Sequence, residues 1–198
     1  MSDNVNDAPS EISRHCSICR CCGSICDRDD LVVRYLFPDG GVFKVNIQDG
    51  GVFKVKLQED GEIREIECIR PPLIKSLPPF FVELKALQYL DLSRTKELKD
   101  LPTEIGNLLS LVELRVSYSG VTSLPTSIGQ LQVLRYLYLH GTQDLKVLPD
   151  EVGDLYELIE LDIRVSRIES LPPSIARLQS LESLLLSGCG YDENFFDR

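Results

Sequence analysis

The sequence is short of positive charge. Its 198 residues carry 21 Lys and Arg against 31 Asp and Glu, a formal net charge of −10. Neutralising nucleic-acid phosphates takes clustered cations, so this balance excludes non-specific binding to nucleic acid. It also argues against docking on an anionic membrane surface. No apolar run approaches the roughly 20 residues that a membrane-spanning helix needs. The start, MSDNVNDAPSE, is polar and acidic, unlike a secretory signal or an Arg-rich transit peptide. No Asn-x-Ser/Thr acceptor occurs. Cysteine is not absent, but its number, seven, is odd and does not suit a fully paired disulfide framework. These features lead to the expectation of a cytoplasmic protein with reduced thiols. Catalytic signatures are missing as well: there is no G-x-G-x-x-G, Walker loop, G-x-S-x-G or H-E-x-x-H. The Asp-Gly-Gly stretches lack the helix and Lys that a phosphate loop requires. The expectation is a protein that is not an enzyme and uses no resident cofactor.

What is present is a repeat. Leu-Pro recurs at Leu77, Leu101, Leu124, Leu148 and Leu171, with spacings of 24, 23, 24 and 23 residues. Each segment carries L-x-x-L-x-[LVI], as in Leu87/Leu90/Leu92, Leu111/Leu114/Val116, Leu134/Leu137/Leu139, Leu158/Leu161/Ile163 and Leu181/Leu184/Leu186. The x-L-x-L core alternates apolar and polar, the pattern of a half-buried strand. The stretch around Ile105-Gly106, Ile128-Gly129 and Val152-Gly153 spaces its apolar residues more widely, which suits a short helix or 3₁₀ turn. Upstream, Ile63, Ile66 and Cys68 fit the same template, so Cys68 is expected at a core position as a small hydrophobe.

The phased segments, of the form LPxxIGxLxxLxxLxL, resemble the leucine-rich repeat family. They look most like the intracellular type found in Ras-associated leucine-rich repeat proteins and in plant resistance proteins. The resemblance spans Ile63 to about Cys189. It implies an α/β solenoid, a horseshoe with a parallel concave sheet. Where the family's usual Asn follows the strand, this chain has Thr95, Ser119, Thr142, Ser166 and Cys189. Their side chains are expected to bond the turn backbone, which gives Cys189 a structural place.

In this family the concave strand face is the usual partner-binding surface. The resemblance therefore assigns partner binding to Tyr89, Asp91, Glu113, Arg115, Tyr136, Tyr138, His140, Glu160, Asp162 and Arg164. Glu65 and Glu67 lie on the same face of the first strand. Tyr and Arg are enriched in binding hot spots, although any exposed sheet face also needs polar and aromatic residues. His140 has no recognisable nucleophile partner and is expected to be one exposed residue of that face. The implied function is a protein–protein interaction module in intracellular signalling, or an adaptor or scaffold. The partner and the oligomeric state stay open.

One repeat cannot bury its own leucines, and the ends of an open sheet need cover. Residues 31–62 contain a tandem duplication, GGVFKVNIQD followed by GGVFKVKLQED, with Asp39-Gly40, Asp49-Gly50 and Asp60-Gly61 as turn signals. The expectation is a small antiparallel β-meander that caps the first repeat. The organisation then reads as a flexible Cys-rich tail over 1–30, the cap over 31–62, a solenoid of about six strands over 63–190, and a C-terminal tail or cap over 191–198. At that last end, the expectation is that Phe195 and Phe196 fold over the final repeat or that the edge pairs with a partner. In the tail, Cys16, Cys19, Cys22 and Cys26 follow C-x₂-C-x₂-C-x₃-C. Four thiolates at this spacing can close a zinc site or hold an iron–sulfur cluster, yet Asp27 stands where the ferredoxin run has Pro, and no second ligand pair is visible. Reduced thiols on a mobile terminus are the plainer reading. A metal- or redox-responsive protein, with the repeats as scaffold, is the alternative function.

Overall fold

The computed structural model describes residues 31–34, 42–47, 52–57, 63–70, 74–77, 81 and 83–189. The expected tail over 1–30 and the segment 191–198 lie outside them, as do Cys16, Cys19, Cys22 and Cys26.

Among the described residues nine strands form one sheet in strict sequence order. They are β1 (Leu31–Arg34), β2 (Val42–Ile47), β3 (Val52–Leu57), β4 (Ile63–Arg70), β5 (Tyr89–Asp91), β6 (Glu113–Arg115), β7 (Tyr136–Tyr138), β8 (Glu160–Asp162) and β9 (Ser183–Leu185). The first four pair antiparallel, as the tandem duplication led one to expect. From β4 onward every pairing is parallel. β4 thus has one neighbour of each kind and joins the meander to the solenoid. Phe53 and Val55 of β3 are buried, and Phe53 meets Phe81 of the first repeat edge-on, with ring centroids 5.1 Å apart. The apolar face of the cap continues the repeat core.

The parallel strands are three residues long after β4 because each coil must turn away to reach the next repeat. The middle residues of β5 to β8, Leu90, Leu114, Leu137 and Leu161, are fully buried. Each contributes about 1.5–3 kcal/mol relative to exposure. Backbone bonds tie coil to coil beside the strands: Val112 N–H to Gln88 C=O, Arg135 to Val112, and Ile159 to Arg135, at 2.8–2.9 Å. Opposite the sheet, 3₁₀ turns at Thr103–Asn107, Thr126–Gln130, Asp150–Asp154 and Pro173–Arg177 return the chain. The Pro before each turn is extended, with φ between −61° and −69°, a value its ring prefers. The i→i+3 bond from Ile105 N–H to Pro102 C=O, at 3.0 Å, recurs in the other three turns. No α-helix occurs among the described residues, and no helix there is long and apolar enough to cross a membrane.

The residues that replace the usual Asn form a column, buried at Thr95, Ser119, Thr142 and Ser166 and half-buried at Cys189. Thr95 donates its hydroxyl to Leu92 C=O at 2.6 Å, and Thr142 to Leu139 C=O at 2.7 Å. Cys189 donates its thiol to Ile163 C=O at 2.8 Å. Cys68, expected at a core position, is half-buried against the edge of the core.

Candidate functional site

The strand alternation that buries the leucines turns the residues on either side of each to the concave face. In-register pairing aligns them into two rows. One reads Glu65, Tyr89, Glu113, Tyr136, Glu160 and Ser183; the other reads Glu67, Asp91, Arg115, Tyr138, Asp162 and Leu185. Lys54 and Lys56 of β3 extend the face and pair with Glu67 at 3.2 Å and Glu65 at 2.7 Å.

The centre of the face is a stack around Arg115. Its guanidinium carbon lies 4.8 Å from the Tyr138 ring centroid and 5.7 Å from that of Tyr89, so a cation sits between tyrosines of two neighbouring strands. Glu113 fixes it from its own strand, accepting from Arg115 Nε at 2.5 Å. Tyr136 lies parallel to Tyr138, at 3° and 6.4 Å between centroids. Burial, then the Asp91 carboxylate, pushes the Tyr89 phenol up to about 12. The group keeps its proton and donates it to Asp91 Oδ2 at 3.4 Å. Burial, and next the Glu160 carboxylate, also raises the Tyr138 phenol. These tyrosines therefore offer neutral O–H groups at any ordinary pH.

Beside this stack runs a groove of about 610 Å³, lined by Asp91, Arg94, Arg115, Tyr118, Tyr138, His140 and Arg164 among others. Its outer wall includes Arg94 and Tyr118, from the turns that follow β5 and β6. Arg94, Tyr118, Gly141, Val165 and Gly188 share one place in the repeat, and all five have positive φ, between 54° and 73°. Tyr118 leaves the strand in this conformation and lies over Gly141, where a Cβ would come within 2.4 Å of its ring. It shares a 2.6 Å hydrogen bond with His140 Nε2 and meets that ring edge-on, 4.8 Å between centroids.

The structure brings the ten residues assigned from the sequence onto one face, with two changes. Asp162 lines the groove but is only 3% exposed. Its oxygens accept from Arg164 Nε at 2.9 Å and Arg164 Nη2 at 2.7 Å, and from the Arg164 backbone N–H at 3.0 Å. Burial pushes its carboxyl up, but these bonds outweigh burial and hold it below the usual carboxylate range. His140, expected to be exposed, is half-buried under Tyr118, with Nδ1 3.9 Å from Asp162 Oδ1 and without a hydrogen-bond partner. Tyr118 and Arg94 were not anticipated as part of the face. The signal was in the repeat: both occupy the column that holds Gly141 and Gly188. Among the described residues no three His, Cys, Asp or Glu side chains gather as a metal site.

Residues 126–191 match the family described as leucine-rich repeat region. Among solved structures, a leucine-rich repeat protein of Leptospira interrogans is 32% identical with a TM-score of 0.58, over 61% of this chain and 30% of that one. The plant peptide hormone receptor RGFR1, solved in complex with RGF2, is 33% identical with a TM-score of 0.52, over 61% and 20%. The Arabidopsis receptor kinase HAESA, solved with the peptide hormone IDA and the co-receptor SERK1, is 25% identical with a TM-score of 0.50, over 59% and 20%. The chain thus spans a third or less of the length of each. No curated protein matches it.

Proposed function

We propose a function from one premise: this chain is a leucine-rich repeat protein. Its concave face docks another protein or a peptide, and the module acts by binding rather than by catalysis. The observation that carries this reading is the preformed stack of Tyr89, Arg115, Tyr138 and Tyr136 beside an open groove. These side chains are already ordered by one another, so little conformational freedom is left to lose on binding. Aromatic residues and Arg so held are the usual centres of interface energy. Two of the similar solved structures hold peptide ligands, which supports a ligand of that kind. The finer part of the proposal is an intracellular signalling or adaptor role, supported by the resemblance of the LPxxIGxLxxL phasing to intracellular repeats.

The test is a double variant, Tyr136→Ala/Tyr138→Ala, made in the full chain. Both side chains are half-buried on the surface of the sheet, so the thermal melt should remain cooperative. Proteins captured by the wild type and identified by mass spectrometry should be lost from the variant. Unchanged capture by a folded variant would refute the concave-face reading.

A further inference from the structure

The concave face carries more negative charge than its own cations match. The carboxylates on β4 are held by Lys54 and Lys56, Glu113 by Arg115, and Asp162 by Arg164. Two are left. Among the described residues Asp91 accepts from the Tyr89 O–H and the Ser93 backbone N–H, and no cation pairs with it, although Arg94 lines the same groove. The Glu160 carboxylate makes no hydrogen bond or ion pair among the described residues. The Arg164 guanidinium nearby is committed to Asp162.

Each free carboxylate adjoins a tyrosine. Asp91 is bonded to Tyr89, and Glu160 pairs in register with Tyr136. A carboxylate beside an aromatic ring is the complement of Lys or Arg: the ring attracts the cation and the carboxylate accepts its N–H groups. The face already shows this chemistry internally, with Arg115 between two tyrosine rings and bonded to Glu113. At Glu160 and Tyr136 the same two components stand, and among the described residues no cation pairs with them.

Resting on the concave-face reading above, we propose that the partner presents a basic segment, whose Lys or Arg side chains meet Glu160 beside Tyr136 and Asp91 beside Tyr89. The charge complementarity decides the occupant, since an acidic segment would face two unneutralised carboxylates. β5 and β8 stand three strand spacings apart, about 15 Å. An extended segment covers that distance in roughly four residues. The partner is therefore expected to carry two basic residues about four positions apart.

Random peptides displayed on phage, selected on the full chain, test this. Binders are sorted by whether the Tyr136→Ala/Tyr138→Ala variant loses them. Tyrosine-dependent peptides should be enriched in Lys and Arg. They should bind Asp91→Asn/Glu160→Gln about tenfold more weakly, the effect of two modest ion pairs. They should bind Glu104→Gln/Glu151→Gln, altered on the convex turns, as they bind wild type. Tyrosine-dependent binders that are neutral or acidic, or that respond equally to the convex variant, overturn the basic-partner inference and leave the concave reading standing. If no binder depends on the tyrosines, the concave reading falls and takes this inference with it.

Discussion

Asp162 is a carboxylate kept below the surface by a cation two residues along its own chain. Arg164 grips both oxygens and adds its backbone N–H. The folded-state pKa is lowered despite burial, which opposes the charge. The linkage follows from that direction. An unfolded Asp titrates near 3.9, so the stabilisation from this group is fully present above about pH 4. It is lost as pH falls through the lower folded value. Asp162→Asn removes the charge and the titration together. The variant is expected to melt below wild type at neutral pH, with the gap closing as pH drops through the carboxylate range. Thermal melts at a series of pH values check this, and a gap independent of pH would show that Arg164 does not depend on the Asp162 charge. Strand alternation was enough to place Asp162 on the concave face. Its burial was not legible, because that depends on how Arg164 and the His140 ring close over it from outside the strand pattern.

The 3₁₀ turns stack through their glycines. A Cβ at Gly106 would lie 2.5 Å from Ser127 C=O, at Gly129 2.8 Å from Glu151 C=O, and at Gly153 2.3 Å from Ser174 C=O. In each case the obstruction is backbone of the following repeat, which cannot swing aside as a side chain does. The last turn, Pro173–Arg177, has Ala176 in that place, and Ala176 is exposed. Gly153→Ala should therefore destabilise by about 1–3 kcal/mol, the range of overpacking. Ala176→Gly should change stability by less than about 1 kcal/mol, the effect of glycine on a helical backbone. Urea unfolding of both variants measures the contrast, and a Gly153→Ala protein as stable as wild type would mean the turns have room to part. The short turn itself was readable from the spacing of Ile and Leu. The reason for its glycine was not, since that glycine answers to a neighbour one repeat away. The same limit hid Tyr118, whose place in the groove comes from a positive φ at a turn and from the missing Cβ of Gly141 on the next coil.

Across the whole molecule, stability is a chain of neighbouring interfaces, and position in the chain sets what a side chain is worth. Phase and period gave the core residues, the parallel register and the antiparallel cap, because each repeat repeats the same burial problem. They did not give the condition of the far end. Leu137 is fully buried between Leu114 and Leu161 of adjoining strands. Leu184 pairs with Leu161 on one side and is only half-buried, as are Leu171, Leu178, Leu181 and Leu186 of the same coil. Leu137→Ala leaves a cavity walled on both sides and should cost about 2–5 kcal/mol. Leu184→Ala removes a side chain that already meets solvent and should cost less than about half of that. Urea unfolding gives both values, read with hydrogen exchange to show where the loss falls. For Leu184→Ala the faster exchange should be confined to the last coil, since its contacts are to one neighbour. For Leu137→Ala it should extend to the coils on both sides. Equal losses would mean that the last coil is covered as fully as the centre, by chain beyond the described residues or by a bound partner.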